Sequence, residues 1–243
     1  MDDLRIQIVN YKTKTYLIEC LGSVFADLED APGITFRVAI LDNASGDDIS
    51  DMKSIFPGKD IDVKKSERNL GFGGGHNILA KERTGRYLAL LNPDTRIIEP
   101  RTFARLKESI ERHSADVLGP RLVTDAGRTQ RWDHGELKGF IAAIAESRGR
   151  SYWKKRREPL PVAWVSGAVF LIGADDFDDI GGFDEHFFLY KEEEDLCLRL
   201  RRKGKTVWYD PGIAVLHHGS VVAKKSEHMG SSRAYFMKKH FGG

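Results

Sequence analysis

Tyr87-Leu88-Ala89-Leu90-Leu91-Asn92-Pro93-Asp94 is the stretch that decides the fold. Its first five residues leave almost no polar face, as a central parallel strand covered by helices on both sides requires. The run stops at Asn92-Pro93-Asp94, where Pro93 fixes the backbone and projects a carboxylate past the end of the strand. Towards the N-terminus, residues 5–10 alternate as a first strand. Leu17, Cys20, Leu21, Val24, Phe25 and Leu28 then keep helical spacing as far as Pro32-Gly33. Residues 36–41 read as a second strand ending at Asp42-Asn43-Ala44-Ser45, followed by a short helix through Met52 and Phe56 and a weak third strand at 61–63. Alternating strand and helix predict a mostly parallel sheet with right-handed crossovers, and ligands bind such sheets beyond the carboxyl ends of the strands. Asn10, Asp42 and Asp94 all fall there.

Downstream the pattern loosens. A helix over 101–113, the segment Asp116-Val117-Leu118-Gly119-Pro120 and a hairpin-like turn at 124–127 precede an unpatterned stretch, 131–161. Residues 162–172 read as one long apolar strand interrupted by Ser166-Gly167. A short helix ends at Gly181-Gly182, and the aromatic run 187–190 leads into an acidic helix start, Glu192-Glu193-Glu194-Asp195. Two strand segments, 206–209 and 214–217, and a basic amphipathic tail complete the chain.

Composition narrows the function classes. At 243 residues with 41% apolar content, one large α/β domain with a sizeable core is expected. Thirty-eight basic and 36 acidic residues give a net charge of +2, so no whole-molecule field points to nucleic acid, and none is expected as a partner. Cys20 and Cys197 lack a CxxC spacing, which argues against a zinc site or a disulfide framework and for a reduced, cytoplasmic setting. Acidic residues stand where a signal peptide needs basic ones, and the longest apolar stretch, near 163–174, is too short to cross a bilayer.

Several residues can carry chemistry. Gly71-Phe72-Gly73-Gly74-Gly75-His76 fails the dinucleotide fingerprint, because it does not follow the first strand and has histidine at the third glycine position. It reads either as a loop approaching a ligand, with Asn69 and Asn77 as polar contacts, or as a tight turn packing a helix. Asp42 suits a helix cap or a ligand contact. Asp94, on its rigid strand end, suits a hard cation bridging two phosphates, since Mg²⁺ takes one or two carboxylates with phosphate and water. Four consecutive acids exceed what a helix dipole requires, and one of Glu192 and Glu193 behind an aromatic wall is a candidate general base. His217 is a possible metal ligand or a structural group.

In order, Val9-Asn10-Tyr11, Asp42-Asn43-Ala44-Ser45, Asn69-Leu70-Gly71-Phe72-Gly73 with Gly75 and Asn77, Asn92-Pro93-Asp94, Ser166-Gly167-Ala168, Gly181-Gly182-Phe183-Asp184-Glu185, Phe188-Leu189-Tyr190 with Glu192-Glu193, Asp195-Leu196-Cys197-Leu198-Arg199 and His217-His218-Gly219 resemble glycosyltransferase family 2, in its bacterial rhamnosyltransferase-like and galactofuranosyltransferase-like branch. The resemblance implies a single GT-A domain over 1–243, with a nucleotide-sugar-binding half, about 1–120, abutting an acceptor-binding half, about 121–243, that carries the catalytic base. It implies donor contacts from Asn10, Tyr11, Asp42, Asn69, Gly71, Gly73, Asn77, Asn92 and Asp94. It also implies Mg²⁺ or Mn²⁺ held by Asp94 and His217, and Glu193 in the base position with Glu192 as its competitor. The implied reaction is inverting transfer from a nucleoside diphosphate sugar, dTDP-rhamnose first, to a glycan or polyprenyl-pyrophosphate-linked glycan in cell-surface polysaccharide synthesis. A nucleotide-sugar-forming nucleotidyltransferase and a catalytically inactive nucleotide-sugar-binding module are the alternatives. Finally, six basic residues between Arg148 and Arg157, with Tyr152 and Trp153, suit peripheral contact with an anionic membrane at the inner face of the cell.

Overall fold

The apolar run Tyr87–Leu91 lies in the fourth strand of a nine-stranded sheet, and its side chains alternate between two cores. A computed structural model describes residues 2–82, 85–136, 153–219 and 225–242, with side chains of 225–227 excepted. Tyr87, Ala89 and Leu91 enter the larger core, while Leu88 and Leu90 enter the second, on the opposite face. Each fully buried leucine of this kind contributes about 1.5–3 kcal/mol.

The first half builds β1 (Asp2–Asn10), α1 (Lys14–Glu29), β2 (Phe36–Asp42), α2 (Met52–Ile55), β3 (Ile61–Lys65), α3 (Gly71–Ala80) and β4 (Gly85–Leu91). Strands β3, β2, β1 and β4 lie side by side and parallel. Next come β5 (Thr95–Ile97), α4 (Thr102–Arg112) and β6 (Val117–Val123). The remainder supplies β7 (His134–Gly135), β8 (Leu160–Pro161), β9 (Trp164–Val165), β10 (Val169–Gly173), α5 (Ala174–Asp179), α6 (Glu192–Arg202), β11 (Val207–His217) and α7 (Lys225–Phe241). The sheet order is β3-β2-β1-β4-β10-β6-β11-β5, with β8 also on β11. Strand β10 runs antiparallel to both β4 and β6, so it joins the parallel half to the rest.

Helices α1 and α4 cover one face with Leu17, Leu21, Phe103 and Leu106. One buried acid and one half-buried acid fix these helices from a distance. Asp27 of α1 accepts the Thr102 and Phe103 amides at 2.7 and 2.9 Å, capping α4. Asp47 accepts the Thr13 and Lys14 amides at 3.0 and 3.2 Å, capping α1. Helices α5 and α6 cover the other face through Phe177, Leu196 and Leu200.

Two expectations need correcting. Residues 162–172 are not one strand: the chain pairs at β9, breaks at 166–168 and pairs again as β10. The break lets the Ala168 carbonyl accept the Asn92 amide at 2.9 Å, so the interruption reaches the end of β4. The two segments at 206–209 and 214–217 are one strand, β11, whose register shifts between Asp210 and Ala214 around Pro211-Gly212. The glycine run opens helix α3, in keeping with its reading as a segment that packs a helix.

Candidate active site

At the carboxyl end of β1, Asn10 is fully buried and its amide donates to Ser45 Oγ and Asp47 Oδ2 at 3.3 and 3.1 Å. Its carbonyl accepts the Thr13 hydroxyl at 2.8 Å. Asp42, at the end of β2, folds the next turn back on itself, since Oδ1 accepts both the Ser45 amide at 3.0 Å and its hydroxyl at 2.5 Å. Asn10 and Asp42 are direct partners across β1 and β2, so one floor carries both. Tyr11 is half-buried beside them, with the Lys12 ammonium 5.3 Å from its ring.

The glycine-rich segment is held from this floor. Asn43 donates to Asn69 Oδ1 at 2.9 Å and to the Gly71 carbonyl at 3.1 Å, and it accepts the Leu70 amide at 2.9 Å. Gly71 has φ +73°, and a side chain there would strike the carbonyl of Phe188. Gly73 and Gly75 lack room for a Cβ because Phe183 and Val9 lie 2.8 Å from where one would stand. Asn77 accepts the Phe183 amide at 2.9 Å and donates to its carbonyl at 2.9 Å and to Glu185 at 3.0 Å. The geometry therefore gives Asn69, Gly71, Gly73 and Asn77 a packing task, stapling the first half of the chain to the loop that leads into α6.

At the end of β4, Asp94 is 7% exposed and its Oδ1 lies 3.5 Å from His217 Nε2. Its Oδ2 accepts the Gly219 amide at 3.1 Å. Burial opposes ionisation of this carboxyl, but His217 in its protonated form and the Gly219 amide outweigh it and hold the pKa below the usual carboxylate value. Asn92 Nδ2 also sits 3.5 Å from His217 Nε2. The other imidazole nitrogen, Nδ1, is 2.9 Å from Gln130 Oε1, and Gln130 Nε2 donates to the His217 carbonyl at 2.6 Å. Asp94, Asn92 and His217 are thus brought together as expected, whereas Gln130 had no sequence signal beyond lying in an unpatterned turn. Among the described residues no third carboxylate, thiol or imidazole completes a metal cluster with them.

The acidic helix start behaves differently. Tyr190 and Lys191 both have positive φ, 70° and 73°, and turn the chain sharply into α6. Glu192 is 4% exposed, and its Oε2 finds no hydrogen-bond partner among the described residues. Burial first, then the neighbouring Glu193 charge, raises its pKa well above the ordinary value. Glu193 is the more exposed of the two. Glu194 is held by Lys191 at 2.8 Å, and Asp195, fully buried, accepts Arg199, Lys239 and His240 at 2.6–2.7 Å. Two of the four acids are therefore structural, and the candidate bases are the other two.

Cys20 and Cys197 are free, buried in separate cores, and burial pushes both thiols up to about 12. Of the basic stretch, Arg148, Arg150 and Tyr152 lie outside the described residues. Trp153 turns inward, its indole donating to buried Asp133 at 2.8 Å, and Arg156 pairs with Glu136. Lys154, Lys155 and Arg157 are exposed.

The chain is similar to several known proteins. Over residues 70 long, the chain is 43% identical to an N-acetylglucosaminyl-diphospho-decaprenol L-rhamnosyltransferase of Mycobacterium tuberculosis, covering 28% of this chain and 23% of that protein. It is 39% identical over 57 residues to rhamnosyltransferase WbbL of Escherichia coli, covering 24% of this chain and 22% of that one. The chain thus spans less than a quarter of the length of these two relatives. Against the low-salt glycan biosynthesis hexosyltransferase Agl10 of Haloferax volcanii the identity is 25% over 228 residues, 91% of this chain and 69% of that protein. Two solved structures share the GT-A fold: GalNAc-T7 with UDP, GalNAc and Mn²⁺, at TM-score 0.66 and 18% identity over 89% of this chain and 44% of that one, and S. aureus TarS, at 0.65 and 16% over 98% and 40%. The family model described as "Glycosyl transferase family 2" matches residues 6–181, most of the chain, and the chain belongs to that family.

Proposed function

We propose that this chain catalyses metal-dependent, inverting transfer of a sugar, rhamnose from dTDP-rhamnose first, to a hydroxyl of a glycan or lipid-linked glycan. The observation that carries the reading is the Asp94 carboxylate facing His217 Nε2 across 3.5 Å at the end of β4, in a family 2 chain. This donor set fits a divalent cation: one carboxylate and one imidazole leave the remaining positions to diphosphate oxygens and water, which is how Mg²⁺ and Mn²⁺ sites in phosphate chemistry are built. Such a cation, when bound, neutralises the charge that develops on the departing diphosphate. Rhamnose is suggested by the names of the two relatives matched over short segments, and the diphospho-lipid acceptor by one of them. Family membership weighs against nucleotide-sugar synthesis.

The chain's own residues then divide the work. Asn10, Tyr11 and Asp42 form the floor for the nucleoside, and Asn92, beside Asp94, faces the phosphates. Glu193 Oε takes the proton of the acceptor hydroxyl as it attacks, while burial and the neighbouring Glu193 charge favour the protonated form of Glu192 beside it. Single displacement inverts the anomeric centre.

The test is thermal shift and donor hydrolysis with dTDP, UDP and their sugars, with and without Mn²⁺. A midpoint rise with nucleotide that needs the cation supports the reading. Equal shifts without cation remove the metal from it. Three exposed cations, Lys154, Lys155 and Arg157, support peripheral contact with an anionic membrane. Salt-sensitive flotation with anionic but not neutral vesicles checks that.

A further inference from the structure

Gln130 sits where a tight turn brings the chain back against the end of β11. Thr124 N donates to the Arg128 carbonyl at 2.9 Å, Gly127 N to the Thr124 carbonyl at 2.8 Å, and Gln130 N to the Leu122 carbonyl at 2.8 Å. From that anchored backbone the side chain meets His217 at two points, Nε2 to the backbone carbonyl at 2.6 Å and Oε1 to ring Nδ1 at 2.9 Å.

The first contact fixes the second. A carbonyl can only accept, so the amide must present its NH₂ to it, and a reversed amide would press two oxygens together at 2.6 Å. Gln130 Oε1 is therefore the atom facing Nδ1, and an amide oxygen can only accept as well. Nδ1 must carry the proton, which in the neutral imidazole leaves Nε2 as a lone pair. That lone pair faces Asp94 Oδ1 across 3.5 Å. Two electron-rich atoms this close, on an imidazole held by Gln130 and on a carboxylate whose other oxygen, Oδ2, accepts the Gly219 amide at 3.1 Å, form a gap that a cation relieves.

We propose that Gln130 is the positioning residue of the cation site: its two-point grip selects the Nδ1–H tautomer of His217 and fixes the ring so that Nε2 is offered as a ligand beside Asp94. This rests on the reading of Asp94 and His217 as cation ligands. Outer partners of this kind set the tautomer and orientation of ligating histidines, and their removal typically costs 10–100-fold in metal affinity.

The experiment has two independent readouts. Long-range ¹H–¹⁵N spectra of histidine-labelled protein at pH 8, without metal, report the tautomer of His217, assigned through His217→Asn. Wild type is expected to show protonated Nδ1 and bare Nε2. Gln130→Leu should shift His217 towards Nε2–H. Calorimetry of Mn²⁺ with saturating dTDP, and separately UDP, should show Gln130→Leu binding about 10–100-fold more weakly than wild type. A wild-type His217 protonated at Nε2 overturns the proposal, and that measurement needs no variant to fold. So does a Gln130→Leu protein with unchanged tautomer and unchanged Mn²⁺ affinity. Should wild type bind no Mn²⁺ with either nucleotide, the cation reading itself fails, and the tautomer spectra show that failure to be separate from any failure of the grip.

Discussion

The glycine-rich opening of α3 and the acidic opening of α6 make the same offer in sequence: a dense run of unusual residues at the start of a helix, next to polar side chains. Their atoms have opposite fates. Around α3, Asn43, Asn69 and Asn77 satisfy one another and the neighbouring backbone, and three glycines exist so that Phe188, Phe183 and Val9 can approach. At α6, Glu194 and Asp195 are taken by lysine, arginine and histidine, but Glu192 keeps a buried oxygen with no hydrogen-bond partner among the described residues. Nothing in a fold gains from burying an acceptor in that state, because an unmet buried polar atom costs about 1–3 kcal/mol. The asparagines of the first opening are framework, and the acids that the second leaves over are its candidates for chemistry.

The largest effect is expected outside both openings, at the end of β4. Asp94→Ala is expected to reduce transfer to background and to remove the cation-dependent part of the thermal shift produced by nucleotide; a variant that binds Mn²⁺ with nucleotide as tightly as wild type makes Asp94 a mere strand terminus. Next in size, Glu193→Gln should keep donor binding yet lose turnover by at least about a hundredfold. If Glu193→Gln stays active and Glu192→Gln is dead, the two exchange roles. At the satisfied end, Gly71→Ala should cost stability and not chemistry, about 2–4 kcal/mol from a left-handed backbone and a collision with the Phe188 carbonyl. Chemical denaturation measures this, and a loss of turnover at unchanged stability would move Gly71 into the reacting site.

The smallest effect concerns pH. A carboxyl whose folded pKa is raised binds its proton more tightly in the native state, so its contribution to stability is most favourable below the unfolded value, near 4.5, and declines as pH rises towards the folded value. Glu192→Gln removes that decline. Its thermal midpoint should exceed wild type at pH 8, with the gap closing as pH falls to about 4.5. A gap independent of pH would mean that Glu192 is not strained by burial.

Much of this was legible in the sequence, and the reasons differ by residue. The all-apolar Tyr87–Leu91 run could only be a doubly covered strand, and it placed Asp94 correctly at its end. The parallel first half followed from alternation, a local property. What depended on partners distant in sequence was not legible. Asn77 was indistinguishable from a ligand contact until Phe183, 106 residues away, was seen on its amide. Gln130 lies 87 residues from His217, in a stretch without periodicity, and no pattern marks a side chain whose meaning is one imidazole tautomer. Strand β11 read as two pieces because Pro211-Gly212 are local breakers, yet its pairing with β6 continues past them.

The position of β10 has a consequence for how the chain is made. Strands β4 and β6 are close in sequence order but are not neighbours, because β10 lies between them and is synthesised some fifty residues after β6 ends. Until it emerges, each of those strands presents an open, apolar edge able to recruit a strand from another chain. Closure is a late, long-range event of the kind that slows folding, and a nascent or truncated chain ending before residue 173 is expected to be a client for chaperones or a seed for aggregation. The antiparallel strand that unites the sheet is thus also the checkpoint that biosynthesis has to pass.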